Sequence, residues 1–293
     1  MFEEAIKQGG VAVVTGGASG VGLAAAMAFA ERGLDVVIAD LPGEALDRAA
    51  ETLKGLAAPG RTVKPVPTDV SDADALVSLA AEAFALGPVA VLMNNAGIAA
   101  RTTSWSEPDN WRRLVEVNLF GVLHGVQAFV PRMTEADRPA VVINTGSKQG
   151  ITTPPGNPGY NVSKAGVKVL TEMLAHDLRA AGAQIMAHLF VPGFTYTGMI
   201  AAFMPEKPPA AWTPEQAVAH LLDRMSGGDF YILCPDNEVT PERDSRRIAW
   251  AAEDIIENRP ALSRWHPDYA EAFAAYEKSS AETASQITVA ILD

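Results

Sequence analysis

One cysteine, Cys234, stands in 293 residues, so no disulfide can form within the chain and a reducing compartment is the expected setting. Positive charge is also short: 23 Lys and Arg stand against 35 Asp and Glu, for a formal net charge of -12. A surface of that sign repels phosphate backbones and anionic lipid headgroups, so neither nucleic acid nor a membrane is an expected partner. Charged residues make up only 20% of the chain and apolar ones 48%, which excludes a largely disordered chain and leaves enough apolar mass for a sizeable core. No segment offers the roughly 20 uninterrupted apolar residues of a membrane span. The opening "MFEEAIKQGG" carries acids where a secretory signal needs bases, so no leader is expected. These absences together give the expectation of a cytoplasmic protein.

What the chain does have is alternation. Short β-branched runs at 11–15, 34–40, 62–70, 89–95, 139–146, 183–190 and 230–235 read as strands. Between them, helical spacing covers 43–56, 72–86, 108–133 and 160–180, and an alanine-rich helix follows the first strand. The run "TVKPVPTDV" carries two prolines and reads as an edge or irregular strand. Strand-helix alternation of this kind predicts a doubly wound parallel α/β sheet of about seven strands with helices on both faces. That domain spans 1–236, and 237–293 reads as a helical C-terminal extension packed on it, with helices at 240–258 and 267–279. There is no internal repeat and no low-complexity tract.

The first strand runs into "TGGASGVG", residues 15–22. Its glycines permit a tight turn and close backbone approach, while the following helix aims unpaired N–H groups at an anion, as a pyrophosphate requires. An ordinary strand-to-helix turn is the plain alternative, and position after the first strand argues against it. Asp40 closes the second strand about 20 residues on, where a dinucleotide fold places the acid that holds the adenosine ribose. A 2′-phosphate there would meet a like charge about 4 Å away, a repulsion on the order of 4 kcal/mol at an effective dielectric of 20. NAD is therefore favoured; NADP is not excluded, because Arg48 or Arg61 could swing in.

The segment 145–164 sets Ser147 and Tyr160 apart across a loop rich in proline and glycine, then places Lys164 one helical turn beyond the tyrosine. A phenol is a poor acid or base at neutral pH, and a neighbouring ammonium lowers its pKa. "TGGASGVG", "NNAG" (94–97), Asn118, Ser147, Tyr160-x-x-x-Lys164 and "PGFTYT" (192–197) together resemble the short-chain dehydrogenase/reductase family in its compact form, over about residues 8–235. The resemblance implies a Rossmann-type domain that interconverts a secondary alcohol and its ketone with a nicotinamide cofactor. It implies Tyr160 as the proton donor or acceptor, Lys164 on the nicotinamide ribose, Ser147 on the substrate oxygen, and Asn118 in a proton relay. Cofactor contacts implied are Gly16, Ser19, Gly20, Val21, Gly22, Asp40, Asp69, Val70, Asn95, Ala96, Gly97, Tyr160, Lys164, Pro192, Gly193, Thr195 and Thr197. Asn94 would secure the crevice beside the cofactor. A homodimer through the helices holding Asn118 and Tyr160 is implied, or a homotetramer.

Other features resist one reading. Lys148 is unusual after the serine; an exposed or backbone-bonded side chain is preferred to one that attracts an anionic substrate group. His124, His176, His188, His220 and His266 show no metal-ligand spacing, so no metal is expected. Met199, Ile200, Phe203, Met204 and Trp212, with Ile98, Ala99, Ala100 and Trp105, suggest a roomy apolar pocket for a bulky apolar or aromatic substrate. The same residues could instead pack the lid. A catalytically silent NAD(P)-binding sensor is the alternative function, disfavoured because Ser147, Tyr160 and Lys164 are all present. A serine hydrolase fails because Ser147 sits in "TGSKQG", without a G-x-S-x-G elbow.

Overall fold

The run Val11–Thr15 (β1) is apolar on both faces and wholly buried, as a strand covered on two sides must be. The computed structural model, which describes residues 2–202 and 204–278, places it inside a seven-stranded sheet whose pairings are all parallel. The other strands are β2 (Asp35–Asp40), β3 (Val63–Pro67), β4 (Val89–Asn94), β5 (Ala140–Thr145), β6 (Ile185–Val191) and β7 (Tyr231–Leu233). Their spatial order is β3-β2-β1-β4-β5-β6-β7, so the chain reverses its direction of growth between β1 and β4. Crevices for ligands open at the carboxyl ends of such strands, at that switch point. The two prolines of β3 are tolerated because it is an edge strand.

Helices α1 (Phe2–Lys7), α2 (Gly20–Glu31), α3 (Glu44–Leu56) and α4 (Ala73–Leu86) occupy the first half of the chain. Alternate residues of β1 serve opposite cores: Ala12 and Val14 join α2 and α3, whereas Val11 and Val13 join Leu76 and Leu79 of α4. The run 108–133 is not one uniform helix. It is α5 (Pro108–Val115), a π-helical turn at Glu116–Phe120, and α6 (Gly121–Glu135). The wider turn carries Asn118 to a fully buried position, and π-turns of this kind recur at functional sites. By length and composition Pro108–Glu135 would pass for a membrane span, but here its helices pack on α4 and β4 and on the long helix that follows β5. Gly125 makes that close approach feasible: a Cβ there would lie 2.0 Å from Asn94 Oδ1.

The second half contains α7 (Gln149–Thr152), α8 (Pro158–Ala180), α9 (Gly198–Ala201), α10 (Pro214–Ser226), α11 (Pro241–Ile256) and α12 (Ala270–Lys278). The short α7 interrupts the proline-rich loop, and α8 starts two residues before Tyr160 because Pro158 suits a first helical turn. Hydrophobic spacing did not reveal α10. Its signal is the capping box, in which the Thr213 hydroxyl accepts from Gln216 N while the Gln216 side chain accepts from Thr213 N. Among the described residues of the C-terminal region, 241–278 carries helices and no strand, and 279–293 lies outside the described residues.

Candidate active site

The carboxyl ends of β1, β2, β4, β5 and β6 open into one cavity of about 890 Å³. At one end lies the glycine loop. Gly16 (φ +66°) and Gly20 (φ +52°) adopt left-handed backbone conformations, and a Cβ on Gly16 would press to 2.8 Å from Ala96 Cα. Ser19, Gly20 and Val21, the N-cap and first turn of α2, line the cavity. The first N–H groups of a helix have no intrahelical acceptor, so this end fits the pyrophosphate of a dinucleotide. Gly22 does not line the cavity as expected. It lies beneath Gly16, where a Cβ would collide with the Gly16 carbonyl oxygen at 2.1 Å, so its smallness serves helix-to-loop packing.

Asp40 ends β2 on the cavity wall, its carboxylate accepting from Ala18 N at 3.0 Å and Leu41 N at 2.9 Å. The acid thus braces the glycine loop as well as facing the cavity. Arg48 and Arg61 are each paired with another acid. Arg61 pairs with Asp35 at 3.5 Å, at the far end of β2, about 16 Å away along the strand. Arg48 pairs with Glu44 at 2.9 Å on exposed α3.

Thr15 links the glycine loop to the segment after β4, its hydroxyl accepting from Asn95 N at 2.9 Å and Ala96 N at 3.2 Å. Asn95 returns its amide to Thr15 O at 3.1 Å. Asn95, Ala96 and Gly97 line the cavity, with Asp69 and Val70 further along the wall. Asn94 does not reach it. Its amide donates to Asn144 Oδ1 at 2.9 Å inside the sheet, and Asn144 donates onward to Thr171 at 3.1 Å.

Ser147, Tyr160 and Lys164 come together at the cavity's other end, from the end of β5 and the first turns of α8. Lys164 Nζ donates to Thr145 O at 2.8 Å. Burial lowers its pKa from the ordinary lysine value to about 8. Burial raises the Tyr160 phenol, and the Ser147 side chain, within hydrogen-bonding reach, acts the other way. Asn118 lies behind the wall instead of on it. Its Oδ1 accepts from Ile98 N at 2.8 Å, and its Nδ2 donates to Ile98 O at 3.0 Å and Ser163 Oγ at 3.2 Å. A Cβ on Gly97 would sit 3.3 Å from Asn118 Oδ1 and 3.6 Å from Lys164 Nζ, so that glycine separates the two.

Thr102 was not foreseen: its hydroxyl accepts from Gly159 N at 2.9 Å and donates to Asn157 Oδ1 at 2.8 Å, fixing the start of α8 just before Tyr160. A threonine in a loop carries no signal until the fold brings residue 159 beside it.

Pro192, Gly193, Thr195 and Thr197 line the cavity opposite the glycine loop, with Thr197 Cγ2 3.2 Å from where a Gly20 Cβ would stand. Phe194, Met199, Ile200 and Ile98 give this end an apolar wall. Trp212 is packing instead: its Nε1 donates to Asn237 Oδ1 at 3.0 Å and its ring meets His220 edge-on. Trp105 is 89% exposed and borders a separate groove of about 510 Å³ beside Pro154 and Leu262. Met204 is exposed and off the wall, and Phe203 lies outside the described residues. Lys148 is neither exposed nor bonded to backbone through its side chain: Nζ lies 2.5 Å from Asp244 Oδ2 and 3.7 Å from Asp236 Oδ2.

A family model described as short chain dehydrogenase matches residues 10–208. The chain is 33% identical over 261 residues to 1-deoxy-11-beta-hydroxypentalenate dehydrogenase of Streptomyces exfoliatus, covering 87% of this chain and 93% of that one. It is 33% identical over 197 residues to the NADP-dependent (R)-specific alcohol dehydrogenase of Lentilactobacillus kefiri, covering 66% of this chain and 76% of that one. A solved short-chain dehydrogenase/reductase from Burkholderia phymatum in complex with NAD superposes with a TM-score of 0.77 at 33% identity, covering 86% of this chain and 95% of that one. With a doubly wound sheet, a glycine-rich cavity end that suits a dinucleotide and this family match, the chain belongs to the short-chain dehydrogenase/reductase family, enzymes that carry out NAD(P)-dependent oxidoreduction.

Proposed function

We propose that the enzyme interconverts a secondary alcohol and its ketone, with NAD as the favoured cofactor and a bulky apolar or aromatic substrate. The observation that carries this is the meeting of Ser147, Tyr160 and Lys164 at one end of a cavity whose other end is the glycine loop and Asp40. The nicotinamide, when bound, supplies a hydride in reduction and accepts one in oxidation. Tyr160 moves the proton, giving it to the ketone oxygen or taking it from the alcohol. Burial alone would hold that proton on the phenol, so the reaction needs a positive charge beside it. Lys164 supplies that charge and remains mostly protonated at neutral pH, since its pKa is about 8. Ser147 hydrogen-bonds the same substrate oxygen and sets its distance from the hydride carbon. Asn118, bonded to Ile98 and set behind Gly97, has the relay role toward Lys164.

The favoured NAD rests on Asp40, since neither Arg48 nor Arg61 is paired toward it. Bulk in the substrate is supported by the apolar wall of Ile98, Phe194, Met199 and Ile200, and by the hydroxypentalenate named for the Streptomyces exfoliatus relative. We infer a homodimer, or a tetramer built on it, through α8 and the π-turn. Val162, Val169 and Met173 form an exposed apolar stripe on α8, with Phe120 exposed nearby in sequence to Asn118. Tyr160→Phe is the test of the chemistry: turnover falls by on the order of 10²–10⁴ while NADH still binds. Retained turnover would overturn this mechanism.

A further inference from the structure

We propose that Lys148 is a positioning residue that ties Ser147 to the C-terminal helical region through a buried ion pair, which makes α11 a working part of the active site. The proposal rests on the role given to Ser147 above. Lys148 follows Ser147 and is the N-cap of α7, its carbonyl accepting from Ile151 N at 3.1 Å and Thr152 N at 3.0 Å. Its backbone conformation therefore sets the turn on which Ser147 sits, and Ser147 Oγ itself accepts from Gln149 N at 3.2 Å in that turn. The side chain leaves the cavity wall past Gly193, where a Cβ would lie 3.4 Å from Lys148 Cε, and reaches Asp244 of α11 and Asp236 after β7. One lysine thus touches the segment after Ser147, the 192–194 loop across the cavity, and the C-terminal region.

The anchor is built to be rigid. Nζ is out of reach of water, and both aspartates are 8% exposed. Asp236 is held from its other oxygen, which accepts from Glu238 N at 3.1 Å and Val239 N at 2.7 Å. The surplus negative charge is met by Arg243 and Arg264, which lie near enough to Asp236 and Asp244 respectively to sense them. Beyond the pair, α11 is braced by Trp250, whose Nε1 donates to Ser263 Oγ at 2.7 Å, and by Arg259, which pairs with Asp254 at 3.0 Å and stacks over Trp250. A buried ion pair contributes little net stability, because desolvation offsets the attraction; what this one supplies is a short charge-to-charge contact between Lys148 and α11, without the geometry of a hydrogen bond. Placed beside Ser147, that contact orients the serine.

The test compares Lys148→Met, Lys148→Arg, Asp244→Asn and the double variant Lys148→Met/Asp244→Asn, in the full chain, with acetophenone and NADH. In Lys148→Met, kcat falls by about 10- to 100-fold, the loss a small displacement of a reacting group produces. The NADH dissociation constant, read by fluorescence, stays within about threefold, and Lys148→Arg recovers most of kcat. The double variant is no slower than the worse single variant, as expected when both act through one contact. Hydrogen exchange at 145–152 accelerates by about tenfold in Lys148→Met, while β1 is unchanged. Tyr160→Phe separates the outcomes. If it loses turnover while Lys148→Met keeps kcat within about twofold, the latch is overturned and the chemistry stands. If no variant turns acetophenone over, or Tyr160→Phe keeps its rate, exchange at 145–152 decides, and an unchanged rate there overturns the latch. Should Lys148→Met fail to fold, Asp244→Asn with Lys148→Arg carries the same comparison.

Discussion

Replacing Lys164 by Met is expected to make the cofactor-free protein more stable and the enzyme inactive. Lys164 is buried, and among the described residues its ammonium donates to the Thr145 carbonyl. The fall of its pKa from 10.5 to about 8 is a free-energy statement: at about 1.4 kcal/mol per unit, the protonated side chain costs the fold roughly 3 kcal/mol relative to the neutral one. Methionine removes that charge and keeps most of the volume, but gives up the charge-assisted bond to Thr145 O, worth about 1.5–3 kcal/mol. The net gain at pH 7 is therefore about 0–1.5 kcal/mol, at most a few degrees in Tm for a chain of this size.

The pH dependence carries the sign. Below about pH 8 the lysine is protonated in both folded and unfolded chains, and the folded state bears the whole cost. Between about 8 and 10.5 the folded chain loses the proton first, so wild-type stability rises with pH across that window relative to the variant. Urea denaturation of both proteins at pH 7 and at pH 10 measures it. The gain at pH 7 should shrink or reverse at pH 10. A variant less stable than wild type at pH 7, or a difference that does not change with pH, would refute the reasoning.

Asp40→Ser should raise the ratio of NADPH to NADH kcat/KM by about 10- to 1000-fold, the upper figure being the like-charge repulsion removed. An unchanged ratio would show that another group sets cofactor choice. Gly125→Ala would drive a Cβ to 2.0 Å from Asn94 Oδ1 and disturb the Asn94–Asn144–Thr171 chain; a loss of about 1–3 kcal/mol in urea denaturation is expected, and none would contradict the close packing described. If the inferred dimer forms through α8, Val169→Asp with Met173→Asp should give a monomer in sedimentation where wild type gives a dimer, because each subunit would have to bury two charges in an apolar contact. An unchanged mass would place the interface elsewhere.

The doubly wound sheet was legible because its signals are local. A buried parallel strand needs a continuous apolar run, a covering helix needs helical spacing, and both are written in consecutive residues such as 11–15 and 160–180. The glycine loop and the Tyr160–Lys164 spacing were legible for the same reason: a φ of +66° at Gly16 and a shared helix face are short-range demands. Missed features depended on residues far apart in the chain. Thr102 beneath the start of α8, Asn118 turned inward by a π-turn, Trp105 outside the cavity and Gly22 under Gly16 each took their place from a neighbour the sequence does not put beside them. Lys148 shows the limit most clearly. Sequence alone placed it after Ser147; only the tertiary fold decided that its ammonium would be buried against Asp244, because burial and charge pairing belong to distances across space, not along the chain.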